Sequence, residues 1–122
     1  MKIHESAENY LETILLLEKT NGSVRSVDIA TELGFSKPSV SVAMKNLRES
    51  GYIKTDKYGH IVLLQKGREI AEKMYERHTI ITKWLVSIGV SENTAADDAC
   101  KVEHVISEET FEAIKSLTAT IE

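Results

Sequence analysis

The chain lacks the features of secreted and membrane-spanning proteins. It has one cysteine in 122 residues, so it cannot form an internal disulfide, and we expect a reducing compartment. No apolar run approaches the roughly 20 residues that cross a bilayer, and the first residues show no apolar signal-peptide core. With 42% hydrophobic residues, the chain can still bury a core. We therefore expect a small cytoplasmic protein with no membrane partner.

The chain also lacks the positive charge expected of a nucleic-acid binder, because its net charge is −4. The distribution of charge reverses this first impression. Residues 34–68 hold seven Lys or Arg and two acids, a net of +5, whereas residues 78–122 hold three Lys and eight acids, a net of −5. A chain polarised in this way can offer a basic face to phosphates while its acidic part does something else.

The N-terminal segment, residues 6–20, has the apolar spacing of an amphipathic helix, and Ser6 is the predicted N-cap. Asn9 and Glu12 stand three residues apart beside its apolar stripe. On the residues alone, these two are ordinary solvated polar side chains.

Residues 24–50 carry the strongest fold signal. Ser26 is the predicted cap of a short helix over 27–33, Gly34 marks a turn, and Ser36 caps a second helix with Pro38 in its first turn. Two short helices joined by a turn that contains glycine are typical of a helix-turn-helix, although any small helical hairpin shares the pattern.

Two short β-like runs follow directly, at 52–54 and 60–63, with a predicted turn at 55–59. A helix-turn-helix followed by a β-hairpin is a winged helix, with Lys54, Lys57 and His60 on the wing. We therefore predict a DNA-binding module. The residues predicted to contact the major groove or the phosphates are Ser36, Lys37, Pro38, Ser39, Ser41, Val42, Lys45, Arg48, Lys54 and Lys57.

The remaining sequence predicts three helices: a long one over 65–88 that contains His78, one starting at Ser91 or Asn93, and one over 110–121 capped by Ser107. The last helix has a narrow apolar seam, which consists of Phe111, Ile114, Leu117 and Ile121. Apolar faces that a small core cannot use fully indicate a dimer interface.

Cys100, Glu103 and His104 stand at i, i+3 and i+4, so on one helix they would share a face. A thiol, a carboxylate and an imidazole together favour Fe²⁺, Co²⁺, Ni²⁺ or Zn²⁺ over Ca²⁺ or Mg²⁺. Alternatively, Cys100 is a small packed hydrophobe beside a polar neighbour. Cys100 as a nucleophile with His104 as its base is an unfavourable reading, because no oxyanion loop lies nearby.

Four segments together resemble the DtxR/MntR family of metal-dependent transcriptional repressors over essentially the whole chain. They are AENYLETIL, VRSVDIATELGFSKPSVSVAMKNLRESGYI, GREIAEKMYERHTIITKWL and DDACKVEHVISEETFEAI. The resemblance implies a mainly α protein, with a winged helix-turn-helix domain at 1–70 and a helical metal-binding and dimerisation domain at 71–122. It also implies a homodimer on palindromic operator DNA, no organic substrate and no catalysis.

The resemblance further implies a set of metal ligands: Cys100, Glu103, His104, Glu12, His78 and Asn9. Cys100 matches the cysteine of iron-type members, whereas Glu12 and His78 match ligands of manganese-type members. Asn9 matches neither type, and Thr82 and Ala96 stand where the iron-type ancillary site has Glu and His.

Because of the thiol, we expect an Fe²⁺-activated repressor of metal-uptake genes. Mn²⁺ is the alternative ion, and Co²⁺, Ni²⁺ or Zn²⁺ could substitute in vitro. A winged-helix regulator that binds no metal is the competing class.

Overall fold

The computed structural model describes residues 5–121, without the side chain of residue 121. Over that range the chain is mainly helical with one two-stranded antiparallel sheet, which confirms the predicted fold class. The elements are α1 (Glu5–Asn21), α2 (Ser26–Leu33), α3 (Lys37–Glu49), β1 (Ile53–Thr55), β2 (Ile61–Leu63), α4 (Gln65–Ser87), α5 (Glu92–Val102) and α6 (Glu108–Ile121).

The chain divides into two compact units, Met1–Glu72 and Lys73–Glu122, and the division falls within α4. Among the described helices, α4 included, none combines the length and apolar character that crossing a bilayer requires.

The core of the first unit is built from one face of each of its helices and from the sheet. In α3, Val40, Met44 and Leu47 are buried at helical spacing, and α1 contributes Leu11 and Ile14. Further buried side chains come from the other elements: Leu15, Leu17, Val24, Ile29, Ala30, Tyr52, Ile53, Ile61, Leu63 and Ala71. Burial of these apolar faces is the main force that holds the helix-turn-helix together.

The predicted cap of α3 is confirmed, because the Ser36 hydroxyl accepts the backbone N–H of Ser39 at 3.3 Å and Pro38 lies in the first turn. Two other predicted caps are wrong. Ser26 is the first residue of α2, and Arg25 occupies the N-cap position, where its backbone N–H donates to the Asp28 carboxylate at 2.9 Å. Ser6 lies inside α1, which already includes Glu5.

The strands of the wing differ slightly from the prediction: β1, Ile53–Thr55, keeps its three residues but begins one residue later, and β2, Ile61–Leu63, is one residue shorter. The Asp56 carboxylate closes the turn by accepting the backbone N–H groups of Tyr58 at 2.8 Å and His60 at 2.9 Å. Gly59 adopts a φ of 81°, which a residue with a Cβ rarely takes. The turn is therefore ordered by its own sequence.

The second unit packs α4, α5 and α6 around Ile81, Ala99 and Phe111, which are at most 1% exposed. The cap of α6 is confirmed, because the Ser107 hydroxyl accepts the Thr110 backbone N–H at 3.1 Å. The apolar seam of α6 is not buried as one face, since Leu117 is 52% exposed.

Gly67 on α4 allows the helix to approach the backbone of Tyr52. A Cβ at residue 67 would overlap the Tyr52 carbonyl oxygen, which accepts the N–H of Leu64 at 2.9 Å. Glycine therefore permits the close contact between the start of α4 and the segment that leads into β1.

We predict that Gly67→Ala destabilises the protein by about 1–3 kcal/mol, because overpacking outweighs the gain of about 1 kcal/mol in helix propensity. Urea denaturation followed by circular dichroism measures this change. Glu72→Ala, at an exposed site on α4, is the matched control and should change stability by less than about 0.5 kcal/mol. A Gly67→Ala variant as stable as the parent would contradict the contact.

Candidate metal centre and nucleic-acid interface

One face of α3 and the residue before the helix are exposed, whereas the opposite face is buried. Val42 is 60% exposed, an unusual environment for a valine in a folded helix. The Ser36 hydroxyl donates to the Ser39 hydroxyl at 2.8 Å. Every residue predicted to contact DNA lies on the surface of the first unit; on α3 and its cap these are Ser36, Lys37, Pro38, Ser39, Ser41, Val42, Lys45 and Arg48.

The wing adds positive charge next to α3. Lys54 and Lys57 are exposed, and the Lys57 ammonium lies 5.1 Å from the ring centroid of Tyr58. Arg48 of α3 donates to the Thr55 hydroxyl of β1 at 3.4 Å, so a side chain joins the helix to the wing. Cations on both elements are suited to contact phosphates along one duplex.

The second unit brings together some of the predicted metal ligands around the end of α5. α5 ends at Val102, and Glu103 and His104 lie in the turn that follows it. The helix thus ends earlier than predicted, although Glu103 is its C-cap residue, has helical backbone angles and donates its N–H to the Ala99 carbonyl at 2.9 Å. That Cys100, Glu103 and His104 share one face stays a prediction. The Glu103 carbonyl accepts from Arg77 at 2.9 Å, and this contact replaces the bond that a further helical turn would make.

The carboxylate of Glu103 is completely buried, and neither oxygen accepts a hydrogen bond from any residue in the described range. Two imidazoles flank it. His78 Nδ1 lies 3.2 Å from Oε2, and His104 Nε2 lies 3.4 Å from Oε1. These separations permit attraction between charges, but the geometry does not form hydrogen bonds. A buried carboxylate left in this state costs several kcal/mol unless a positive charge compensates it.

A divalent transition ion fits the separation between Glu103 and each imidazole taken singly. Atoms that ligate one ion at about 2.1 Å lie about 3.0–3.4 Å from one another, and both oxygen–nitrogen separations fall in that range, with the two imidazoles beside different oxygens of the carboxylate. The His104 side chain is 2% exposed and that of His78 is 31% exposed. Burial, carboxylate oxygen and imidazole nitrogen together favour a transition ion over Ca²⁺ or Mg²⁺.

Cys100 has different surroundings from Glu103. It is on the last turn of α5 and is exposed, whereas Glu103 is fully buried. Its role as a ligand therefore stays a prediction.

The remaining predicted ligands lie in the first unit, on α1. Glu12 is only 5% exposed, and Asn9 is half-buried, with its backbone carbonyl accepting from the Thr13 hydroxyl at 2.8 Å. In the second unit, the Thr82 hydroxyl donates to the His78 carbonyl at 2.7 Å, and Ala96 has no donor atom in its side chain. The expectation that Glu12 is an ordinary solvated side chain is therefore wrong, because the residue is buried.

Arg77 contacts the turn that carries two of the proposed ligands, and it is not among the residues predicted from the sequence. Its side chain is 6% exposed and bonds to Glu108 at 3.0 Å. That hydrogen bond, followed by the one from Lys73, lowers the pKa of Glu108. The available signal was an arginine on the apolar stripe of α4, between Met74 and Ile81.

Comparison with known families covers nearly the whole chain. Residues 2–61 match the N-terminal DNA binding domain of the iron dependent repressors. Residues 64–122 match the metal binding and dimerisation domain of the same repressors.

Relatives extend over most of the sequence. An uncharacterised HTH-type transcriptional regulator from Methanocaldococcus jannaschii is 35% identical over 91% of this chain and 90% of its own length. The transcriptional regulator MntR of Escherichia coli O157:H7 is 36% identical over 93% of this chain and 74% of its own length.

Solved structures show the same fold. A manganese-dependent transcriptional repressor in complex with manganese matches 93% of this chain with a TM-score of 0.85 and 25% identity. The manganese regulator SloR matches 96% with a TM-score of 0.81 and 24% identity. This chain spans about half the length of those two solved chains, 52% and 54% respectively. The chain belongs to the DtxR/MntR family of iron-dependent repressors, which are metal-dependent transcriptional regulators and not enzymes.

Proposed function

We propose that this chain is a homodimeric repressor of metal-uptake genes and that His78, Glu103 and His104 hold its activating ion. The observation that carries the proposal is the fully buried Glu103 carboxylate, which accepts no hydrogen bond within the described range and lies beside two imidazole nitrogens. Glu12 is the ligand proposed from the first unit, and it rests on the family resemblance. Asn9 is the weakest candidate, because an amide oxygen brings no charge.

A bound divalent ion supplies positive charge that offsets the carboxylates. Without it, Glu103 and Glu12 each remain a buried acid. In the proposed symmetric dimer, two recognition helices spaced by about 34 Å match one duplex turn. Metal and operator DNA then bind with positive coupling, of the order of 1–3 kcal/mol.

We propose Mn²⁺ as the activating ion and Fe²⁺ as the second candidate. Carboxylate oxygens and imidazole nitrogens without sulfur suit Mn²⁺, whereas a thiolate ligand favours Fe²⁺ in a reducing cell. The exposure of Cys100 and the 36% identity to an MntR protein support Mn²⁺. Cys100 itself is the feature that supports Fe²⁺.

Cys100→Ala distinguishes the two ions. We predict that it changes Mn²⁺-dependent operator binding by less than about twofold, because the oxygen and nitrogen ligands remain. Anoxic fluorescence anisotropy with labelled operator DNA, across Mn²⁺ and Fe²⁺, measures the response. Loss of the metal response in this variant would make the thiol a ligand and favour Fe²⁺.

Glu103→Gln tests the site. We predict that the variant is more stable than the parent without metal, because an amide avoids burying a charge. It should also lose the stabilisation of about 2.7 kcal/mol expected for the parent at a metal concentration 100 times its Kd. Thermal unfolding with and without Mn²⁺ measures both effects. Glu109→Gln, an exposed site on α6, is the control. A Glu103→Gln variant that metal still stabilises fully would refute the site.

Lys57→Ala tests the wing. We predict weaker binding to all DNA sequences alike and a salt dependence of log K that is flatter by about one unit, because one phosphate contact is lost. Binding is measured from low to moderate salt in the presence of Mn²⁺. Lys101→Ala, the same charge change on α5, should leave the slope unchanged. A loss confined to one operator sequence would contradict a phosphate contact.

A further inference from the structure

Arg77 occupies a position on α4 where the sequence pattern calls for an apolar residue. It stands three residues after Met74 and four before Ile81, both almost fully buried. Arg77 is itself only 5% exposed, and its guanidinium carbon lies 5.3 Å from the ring centroid of Phe111. Burying an arginine is costly unless its donors are bonded, and an apolar side chain would fill the same space more cheaply. The arginine therefore requires an explanation beyond packing.

The contacts of Arg77 converge on the turn after α5. Its Nη1 donates to the carbonyl oxygens of Glu103 at 2.9 Å and Ile106 at 3.0 Å. These carbonyls lie at the two ends of the 103–106 segment, so one nitrogen ties both ends to α4. Its Nη2 donates to the Glu108 carboxylate at 3.0 Å. The fork geometry of a guanidinium permits all three contacts at once, which an ammonium cannot reproduce.

α4 thus contacts Glu103 at two places. His78 lies beside the Glu103 carboxylate at 3.2 Å, and the preceding residue, Arg77, binds the Glu103 backbone carbonyl. Neighbouring residues on a helix point about 100° apart. His78 therefore supplies a donor atom to the site. Arg77, the residue before it, fixes the backbone of the turn that carries Glu103 and His104.

We propose that Arg77 is a positioning residue, which holds Glu103 and His104 in the arrangement that binds the ion before the ion arrives. This inference rests on the proposed function. Residues that orient the ligands of a metal typically contribute about 10–100-fold to metal affinity. Because Arg77 fixes the backbone of the turn, its effect should fall on affinity for the metal and not only on stability.

Whether metal affinity rises or falls when Arg77 is replaced distinguishes a positioning role from a purely electrostatic one. Removing a cation near a metal site relieves repulsion and on Coulomb grounds tightens metal binding. Loss of positioning weakens it. We expect Arg77→Met, which keeps a long apolar stem, to weaken Mn²⁺ binding by about 10–100-fold. Isothermal titration measures the affinity, and circular dichroism measures the melting temperature of the metal-free protein.

Arg77→Lys is the second variant, because it conserves the positive charge and removes only the planar, forked arrangement of guanidinium N–H donors. We expect its Mn²⁺ affinity to fall by about tenfold. Lys115→Ala is the matched control, since it removes another cation that joins α6 to α4, through Glu76 at 3.1 Å. Its affinity should stay within about twofold of the parent, as expected for an exposed ion pair.

Hydrogen exchange on the unmodified metal-free protein tests the same inference without a substitution. The N–H groups of Glu103 and Ile106 donate to the carbonyls of Ala99 and Val102 at 2.9 Å and 3.2 Å. If Arg77 holds the turn, these amides are protected before metal is added, and Mn²⁺ changes their protection by less than about tenfold.

Each result decides the matter. Weaker Mn²⁺ binding in both Arg77 variants, with the Lys115→Ala control unchanged, supports the positioning role. Unchanged or tighter binding in either Arg77 variant overturns it, as does free exchange of the turn amides in the metal-free protein. A parent protein that shows no saturable Mn²⁺ binding overturns the proposed function instead, so the two failures are distinguishable.

Discussion

The feature of the second unit that packing alone does not explain is one buried group, the carboxylate of Glu103. It is completely inaccessible to solvent, accepts no hydrogen bond from the described residues and lies 3.2 Å and 3.4 Å from two imidazole nitrogens. A domain selected only for stability would place an apolar residue at this position. A buried carboxylate at this position is explained if a cation binds to it. Folding then leaves an unfavourable buried charge, and binding of the cation compensates that charge.

The two units use charge in opposite ways. The first presents exposed cations on α3 and on the wing, including Lys45 and Lys57, and such cations contribute affinity for any duplex. In the second unit, the charged group proposed to bind the ion, the Glu103 carboxylate, is buried. Metal affinity and DNA affinity can therefore be altered by separate substitutions, and the coupling between them is a quantity to be measured in its own right.

Much of this fold could be predicted from sequence, because the information is local. Helical spacing and caps such as Ser36 define the helix-turn-helix, and the turn at Asp56 and Gly59 defines the wing. The end of α5 could not be predicted, since the pattern at Cys100, Glu103 and His104 equally fits a continued helix. A contact from Arg77, 26 residues earlier in the chain, accompanies the end of the helix. The sequence marks Arg77 as an arginine on an apolar stripe, but it does not show which distant segment that arginine contacts.

We propose that the Glu103 carboxylate binds one divalent ion, with His78 and His104 as its imidazole ligands. Crystals grown with Mn²⁺, measured at the manganese absorption edge, test it most directly. We expect an anomalous peak at about 2.0–2.3 Å from the Glu103 carboxylate and from an imidazole nitrogen of each histidine. A manganese peak located elsewhere, with Glu103 still flanked only by imidazoles, would contradict it.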